Sequence, residues 1–193
     1  LFSEQFACVH CNISYEELAP RMFSFNSPYG ACPTCSGLGT RMEIDPELVI
    51  GDPNKSIMEG AVSAWGDIQG SKWYKIMLKS VSKHFKFSLY VPFKKLTKEV
   101  KEIVLYGSGS LEFTYRYDHR NGKGHGEWVS KYEGVIPNLN RRYRQTKSNY
   151  IRSFIEGFMN TIPCPECKGA RLKKEPLSVK VHDKNIHDVT GMS

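Results

Sequence analysis

Two stretches of this chain are near copies of one another. "CPTCSGLGT", from Cys32, and "CPECKGARL", from Cys164, both read Cys-Pro-x-Cys-x-Gly, and they stand toward opposite ends of 193 residues. All six cysteines fall in such Cys-x-x-Cys pairs, the third being Cys8/Cys11. A disulfide framework rarely spaces every cysteine this way. A thioredoxin-type redox pair needs one reactive motif beside a helix, rather than three in Gly/Pro-rich turns. Two thiolates on one tight turn do suit a tetrahedral ion, because the turn aims both sulfurs at one point. Zinc is the default for four such sulfurs.

A four-cysteine site uses two of the three pairs. Cys8/Cys11 with Cys32/Cys35 would make a local finger; Cys32/Cys35 with Cys164/Cys167 would make a long-range clamp. The turns favour the clamp. Gly37 and Gly169 each follow the second cysteine of their pair at the same offset, where a left-handed turn offers backbone N–H groups to a thiolate. Cys11 is followed by Asn12 and no glycine. Four sulfurs each about 2.3 Å from one ion must lie within a few ångströms of each other. Residues 36–163 then leave the site and return to it, which is the wiring of an inserted domain. The expected class is α+β: a mixed α/β insertion domain emerging from a four-cysteine, zinc-ribbon-like base. The expected divisions are 1–44 for the first knuckles, 45–160 for the insertion, and 161–193 for the returning knuckle and the residues after it.

With 40% hydrophobic and 12% aromatic residues, the chain can pack a core. No apolar run approaches the length of a membrane span, and no signal-peptide pattern opens the sequence. Leu1-Phe2-Ser3 lacks an initiator Met and "VTGMS" ends without a turn or tail signal, so a piece of a longer protein is expected. The net charge of +7 suits a nucleic-acid partner and equally a merely soluble basic domain. Its distribution says more. Between Leu111 and Arg152, Arg116, Arg120, Lys123, Lys131, Arg141, Arg142, Arg144, Lys147 and Arg152 are set against only Glu112, Asp118, Glu127 and Glu133.

Local signals predict a mixture of helix and strand. Ser14 with Glu17 makes a capping box for a short helix near "YEELAPRM". Asp45-Pro46-Glu47 reads as a helix start. Trp73, Ile76, Met77, Val81 and Phe85 follow helical spacing, and Thr97 can cap a second helix ending at Gly107. The period then changes: Leu111, Phe113, Tyr115 and Tyr117 alternate with polar residues, predicting a strand with one buried face. An Asn-Gly turn signal comes next, and "WVSKYEG" reads as the returning strand. Tyr150, Ile151, Phe154, Ile155, Phe158 and Met159 are expected on one face of a last helix.

Together, "FACVHCNISYEELAPRMFSFNSPYGACPTCSGLGT", "EGVIPNLNRRYRQTKSNYIR", "CPECKGARLKKEPLSVKV" and "NIHDVTGMS" closely resemble the UvrA family of the bacterial ABC excinuclease, the damage sensor of nucleotide excision repair. The resemblance runs over essentially the whole chain. It implies the first signature-domain region, in which an insertion domain interrupts a four-cysteine zinc module. It also implies that Cys8 and Cys11 are half of a second zinc site, completed by a Cys/His pair beyond the domain that binds UvrB. Asn12 departs from the glycine common there, but Asn tolerates the same turn. The family is a DNA-dependent ATPase of the ABC class, cytoplasmic and homodimeric, with duplex DNA and UvrB as partners and no membrane. No G-x-x-x-x-G-K-[ST] loop or Ser-Gly-Gly signature occurs here; "YGSGS" and "NGKGHG" lack the Lys-Ser/Thr ending. This piece is not expected to hydrolyse ATP by itself.

"NRRYRQTK" places Arg141, Arg142, Arg144 and Lys147 around Tyr143. One reading is a solvated helix face, or arginines paired with internal carboxylates. The favoured reading is a strip that contacts phosphates without reading sequence, since a damage sensor must accept any sequence and respond to deformation. Arg120 and Lys123, at the "NGKGHG" tip, are candidates to probe a groove, or simply part of a hairpin end. Trp73 and Trp128 are expected to pack in the core. The competing function is a zinc-stapled protein–protein module without direct DNA contact, since the knuckles also resemble those of DnaJ-type chaperones.

Overall fold

The structure, a computed structural model, describes residues 18–66, 68, 70–118 and 125–192. In chain order it contains β1 (Thr40–Ile44), α1 (Pro46–Val49), α2 (Lys72–His84), α3 (Lys98–Tyr106), β2 (Glu112–Asp118) and β3 (His125–Lys131). Then come α4 (Val135–Gln145), α5 (Asn149–Glu156), β4 (Met159–Pro163), α6 (Lys174–Ser178) and α7 (Ile186–Thr190). Short 3-10 turns punctuate the loops. β1 pairs with β4 and β2 with β3, giving two small two-stranded sheets among helices, an α+β fold. The capping box at Ser14 and Glu17 and the Asn-Gly turn at Asn121 lie outside the described residues.

The chain forms two compact units, one of residues 1–43 and 161–193, the other Ile44–Asn160. In the second, helix starts are written by short polar side chains. Asp45, Ser71, Thr97 and Ser148 each accept a backbone N–H from the first turn of α1, α2, α3 and α5, satisfying donors that have no partner inside a helix. Ser56 and Glu59 form a full reciprocal capping box on the 3-10 turn Ile57–Glu59.

β2 and β3 run antiparallel with Tyr115 opposite Trp128 and Phe113 opposite Ser130. Phe113 and Tyr115 are buried, whereas Glu112, Thr114 and Arg116 are exposed, the period-2 alternation of a sheet with one covered face. Leu111 belongs elsewhere. It precedes β2 and is 43% exposed, because the pleat begins one residue later than the alternation suggested.

One core gathers Val49, Ile57, Leu78, Val104, Leu139 and Ile155. A second joins Val81 of α2 to Phe113, Tyr115 and Tyr132. The Tyr132 hydroxyl donates to the Val104 carbonyl oxygen at 2.9 Å, whereas the buried Tyr115 hydroxyl has no partner among the described residues. Burial pushes both phenols up, Tyr132 far above the ordinary range.

Two sequence expectations need correcting. Trp73 is 52% exposed and stacks on Trp128, with ring centroids 4.6 Å apart, rather than sitting in the core. The last predicted helix stops at Glu156; Phe158 lies beyond its end and Met159 opens β4. On α5 itself only Ile155 is buried, while Tyr150 is 81% exposed.

Candidate functional site

Within the unit formed by the chain's two ends, four thiols converge. The Sγ atoms of Cys32, Cys35, Cys164 and Cys167 all lie within 4.8 Å of one another, and all four residues are buried. Cys32 Sγ is 3.9 Å from Cys164 Sγ, and Cys35 Sγ is 3.7 Å from Cys167 Sγ. A disulfide needs about 2.05 Å. A tetrahedron with metal–sulfur bonds of about 2.3 Å has edges of about 3.8 Å. Spacing and donor softness both fit a zinc-like ion.

Hydrogen bonds relate the two knuckles reciprocally. Cys32 N–H donates to the Arg171 carbonyl at 2.8 Å, and Cys164 N–H donates to the Gly39 carbonyl at 2.9 Å. Arg171 and Gly39 hold equivalent positions after the second cysteine of their knuckles. Ser36 and Gly37 (φ 49° and 81°) repeat in Lys168 and Gly169 (φ 50° and 95°). These are the left-handed turns expected of the motif. The donor to Cys35 Sγ is the Gly39 N–H, at 3.2 Å, beyond where the glycine pattern suggested. In the other knuckle the Arg171 and Gly169 N–H groups serve Cys167.

The two glycines are not equivalent. A Cβ on Gly37 would lie 1.9 Å from the Phe25 carbonyl oxygen, whereas one on Gly169 would meet nothing within 4 Å.

The thiols differ in acidity. N–H groups of Cys167 and Glu166 draw Cys164 down to about 7, while burial pushes Cys167 up to about 11. Four thiols crowded in a buried cluster cannot all ionise without a cation to balance them, and a bound cation would hold all four as thiolates. Cys8 and Cys11 lie outside the described residues.

The basic candidates separate into distinct environments. α4 follows the cap residue Gly134 and buries Val135, Ile136 and Leu139, leaving Arg141 and Arg144 exposed and Arg142 half-buried. Arg141 is engaged: its Nε and Nη2 fork onto Glu133 at 2.8 and 2.9 Å, and Nη1 donates to Gln145 at 3.2 Å. Arg141, with help from Asn138, holds the Glu133 carboxyl below its ordinary range. Arg142, Arg144 and Lys147 make no ion pair among the described residues. Beside them, Arg152 lies over the Tyr143 ring at 5.0 Å, and the Tyr143 hydroxyl donates to Glu156 at 2.9 Å. Arg120 and Lys123 lie outside the described residues.

The family described as the UvrA DNA-binding domain matches residues 45–157. This chain belongs to that family. UvrABC system protein A of Listeria monocytogenes is 47% identical over 193 residues, all of this chain and 20% of that protein. Its counterpart from Methanothermobacter thermautotrophicus is 44% identical over 196 residues, with the same shares. The chain therefore spans about a fifth of the length of these curated UvrA relatives. The crystal structure of UvrA2 from Deinococcus radiodurans superposes with a TM-score of 0.64 at 23% identity, over 86% of this chain and 21% of that one. That likeness concerns the UvrA fold. Within the family match fall α2, the antiparallel pair β2–β3, α4 and α5; both thiol knuckles lie outside it.

Proposed function

We propose that this chain is a zinc-organised, DNA-binding piece of the damage-recognition component of nucleotide excision repair. The observation that carries the reading is the family match over 45–157, on a stretch that includes cations without acidic partners among the described residues. In this reading Cys32, Cys35, Cys164 and Cys167 hold one zinc, and Cys8 and Cys11 contribute half of a second. Residues 45–160 act as an insertion domain, between 1–44 and 161–193. Zinc here supplies cross-linking rather than chemistry, since four thiolates leave no open position for a substrate.

Arg142, Arg144 and Lys147 contact phosphates, with Arg120 and Lys123 as further contacts. Arg141, already paired with Glu133, holds α4 in place beside them. Such contacts neutralise charge without reading bases, which suits a protein that must accept any sequence. The longer protein is then a cytoplasmic, homodimeric DNA-dependent ATPase with UvrB as a partner. The ATPase motifs lie outside this piece.

Binding of the chain to random-sequence duplex, measured against salt, tests the reading. Each phosphate contact contributes about 0.9 to the slope of log affinity on log salt. Replacing Arg142, Arg144 and Lys147 with Ala is expected to lower that slope by about 2 to 3, equally for damaged and undamaged duplex. A flat salt dependence in the unaltered chain would point instead to a protein–protein module.

A further inference from the structure

α2 carries Lys72, Lys75, Lys79 and Lys83 and no acidic residue. At about 100° per residue these four fall within roughly 80° of arc, and the row runs about 16 Å along the helix. Leu78 and Val81 bury the other side. Lys72, Lys79 and Lys83 are exposed and make no ion pair among the described residues; Lys75 has a partner of its own. A row of cations spaced three and four apart repels itself, because like charges at these spacings face each other. Lys72 also sits in the first turn, at the positive end of the helix dipole, where a cation is unfavourable. An ordinary solvated helix face interleaves carboxylates with lysines; this one does not.

Grooves flank the row on both sides. One, of about 560 Å³, is lined by Lys79 with Ser88, Tyr90, the apolar Phe87 and Leu89, and Ser82, whose hydroxyl already donates to the Lys79 carbonyl at 3.0 Å. The other, of about 740 Å³, is lined by Lys79 and Lys83 with Ser80, Thr114, Phe113, Glu112 and Arg116, the last paired with Glu127 at 2.6 Å. The Ser88 hydroxyl oxygen accepts from the Tyr90 N–H at 3.2 Å, leaving its own proton to donate. Exposed lysines flanked by hydroxyls that still carry a free proton are donors of the kind a phosphate-contacting face uses. Each strand of duplex DNA presents a phosphate about every 3.4 Å of axis, so the length of the row covers about five of them.

We propose that the lysine row of α2 is a second phosphodiester-binding face, separate from α4, gripping the nucleic-acid backbone without reading sequence. The proposal rests on the DNA-binding reading above and adds a contact surface that the sequence pattern did not single out. The partner is a polyanion of regular charge spacing; an acidic protein segment is the competing occupant.

The test compares the unaltered chain with a Lys72→Gln, Lys79→Gln, Lys83→Gln variant and with the same three positions changed to Arg, on random-sequence duplex across a salt series. The Gln variant is expected to lose about 2 to 3 from the salt slope, so that its loss of affinity between about 50 and 200 mM salt is about 40-fold smaller. The Arg variant is expected to keep the original slope. An unchanged slope in the Gln variant overturns the proposal, as does a loss that the Arg variant shares, since charge would then not be the cause. If only the Arg142, Arg144 and Lys147 variant loses slope, the DNA reading stands and this face is refuted. If the unaltered chain shows no salt-dependent duplex binding, both fail, and the row serves an acidic protein.

Discussion

Residues 44–160 and the unit formed by the two ends of the chain are held together by different means. The first buries Val49, Ile57, Leu78, Val104, Leu139 and Ile155 almost completely in one apolar cluster, and Val81, Phe113, Tyr115 and Tyr132 in another. In the described part of the second, the buried apolar side chains besides the four cysteines are Met22, Leu172 and Pro176. Burial contributes about 1.5–3 kcal/mol per large side chain, and ordering the backbone costs about 1–2 kcal/mol per residue. Three buried side chains cannot offset the ordering of so many residues. Residues 44–160 can hold themselves by packing; the thiol unit needs a cross-link, and four sulfurs at metal spacing provide the place for one.

The comparison breaks most visibly at the metal. Structural zinc is worth on the order of 10–16 kcal/mol in small peptides at neutral pH. Cys164→Ser, or a strong chelator, is expected to release one zinc per chain and unfold the thiol unit while residues 44–160 keep their melting transition. Cys8→Ser is expected to leave that zinc bound. Metal analysis with residue-resolved NMR checks both; the reverse pattern would assign the metal to a local finger of Cys8, Cys11, Cys32 and Cys35.

A smaller effect separates the two knuckles. Gly169→Ala places a side chain in a left-handed turn with open space beyond it, at a cost of about 1–2 kcal/mol. Gly37→Ala adds a collision with the Phe25 carbonyl oxygen, so its cost should be clearly larger and zinc should be released at a lower chelator concentration. Equal chelator sensitivity of the two variants would mean the knuckle at Cys32 relaxes freely.

The smallest effect sharpens the packing side. Tyr132→Phe leaves the buried Val104 carbonyl without its donor, which costs about 1–3 kcal/mol. Tyr115→Phe removes a buried hydroxyl that has no partner among the described residues and is expected to be neutral or slightly stabilising. Denaturant melts read both, and neither is expected to change zinc content. A large loss from Tyr115→Phe would reveal a partner for that hydroxyl.

Much of this was legible residue by residue. Asp45, Ser71 and Thr97 start their helices because a capping oxygen acts within one turn of chain. The alternation through Phe113 and Tyr115 marked β2 for the same local reason. α4 was harder to read because the polar run "NRRYRQ" interrupts the apolar spacing. Pro137 lies in the first turn, where its missing N–H forfeits nothing, and Val135, Ile136, Leu139 and Tyr143 supply the stripe that packs inward. β1 and β4 carry no clear alternation of buried and exposed residues, so nothing in the sequence marked them.

That thiols gather in pairs is written locally, because the turn that presents two sulfurs takes only a few consecutive residues. Which pairs meet was an inference until tertiary structure brought Cys32 and Cys35 against Cys164 and Cys167. Tertiary structure alone decided which cations are engaged. Glu133 precedes α4 and reaches forward to claim Arg141, while Lys72, Lys79 and Lys83 on α2 make no ion pair among the described residues. A cap or a knuckle is decided by neighbours along the chain. The availability of a charge is decided by what the fold places within a few ångströms of it.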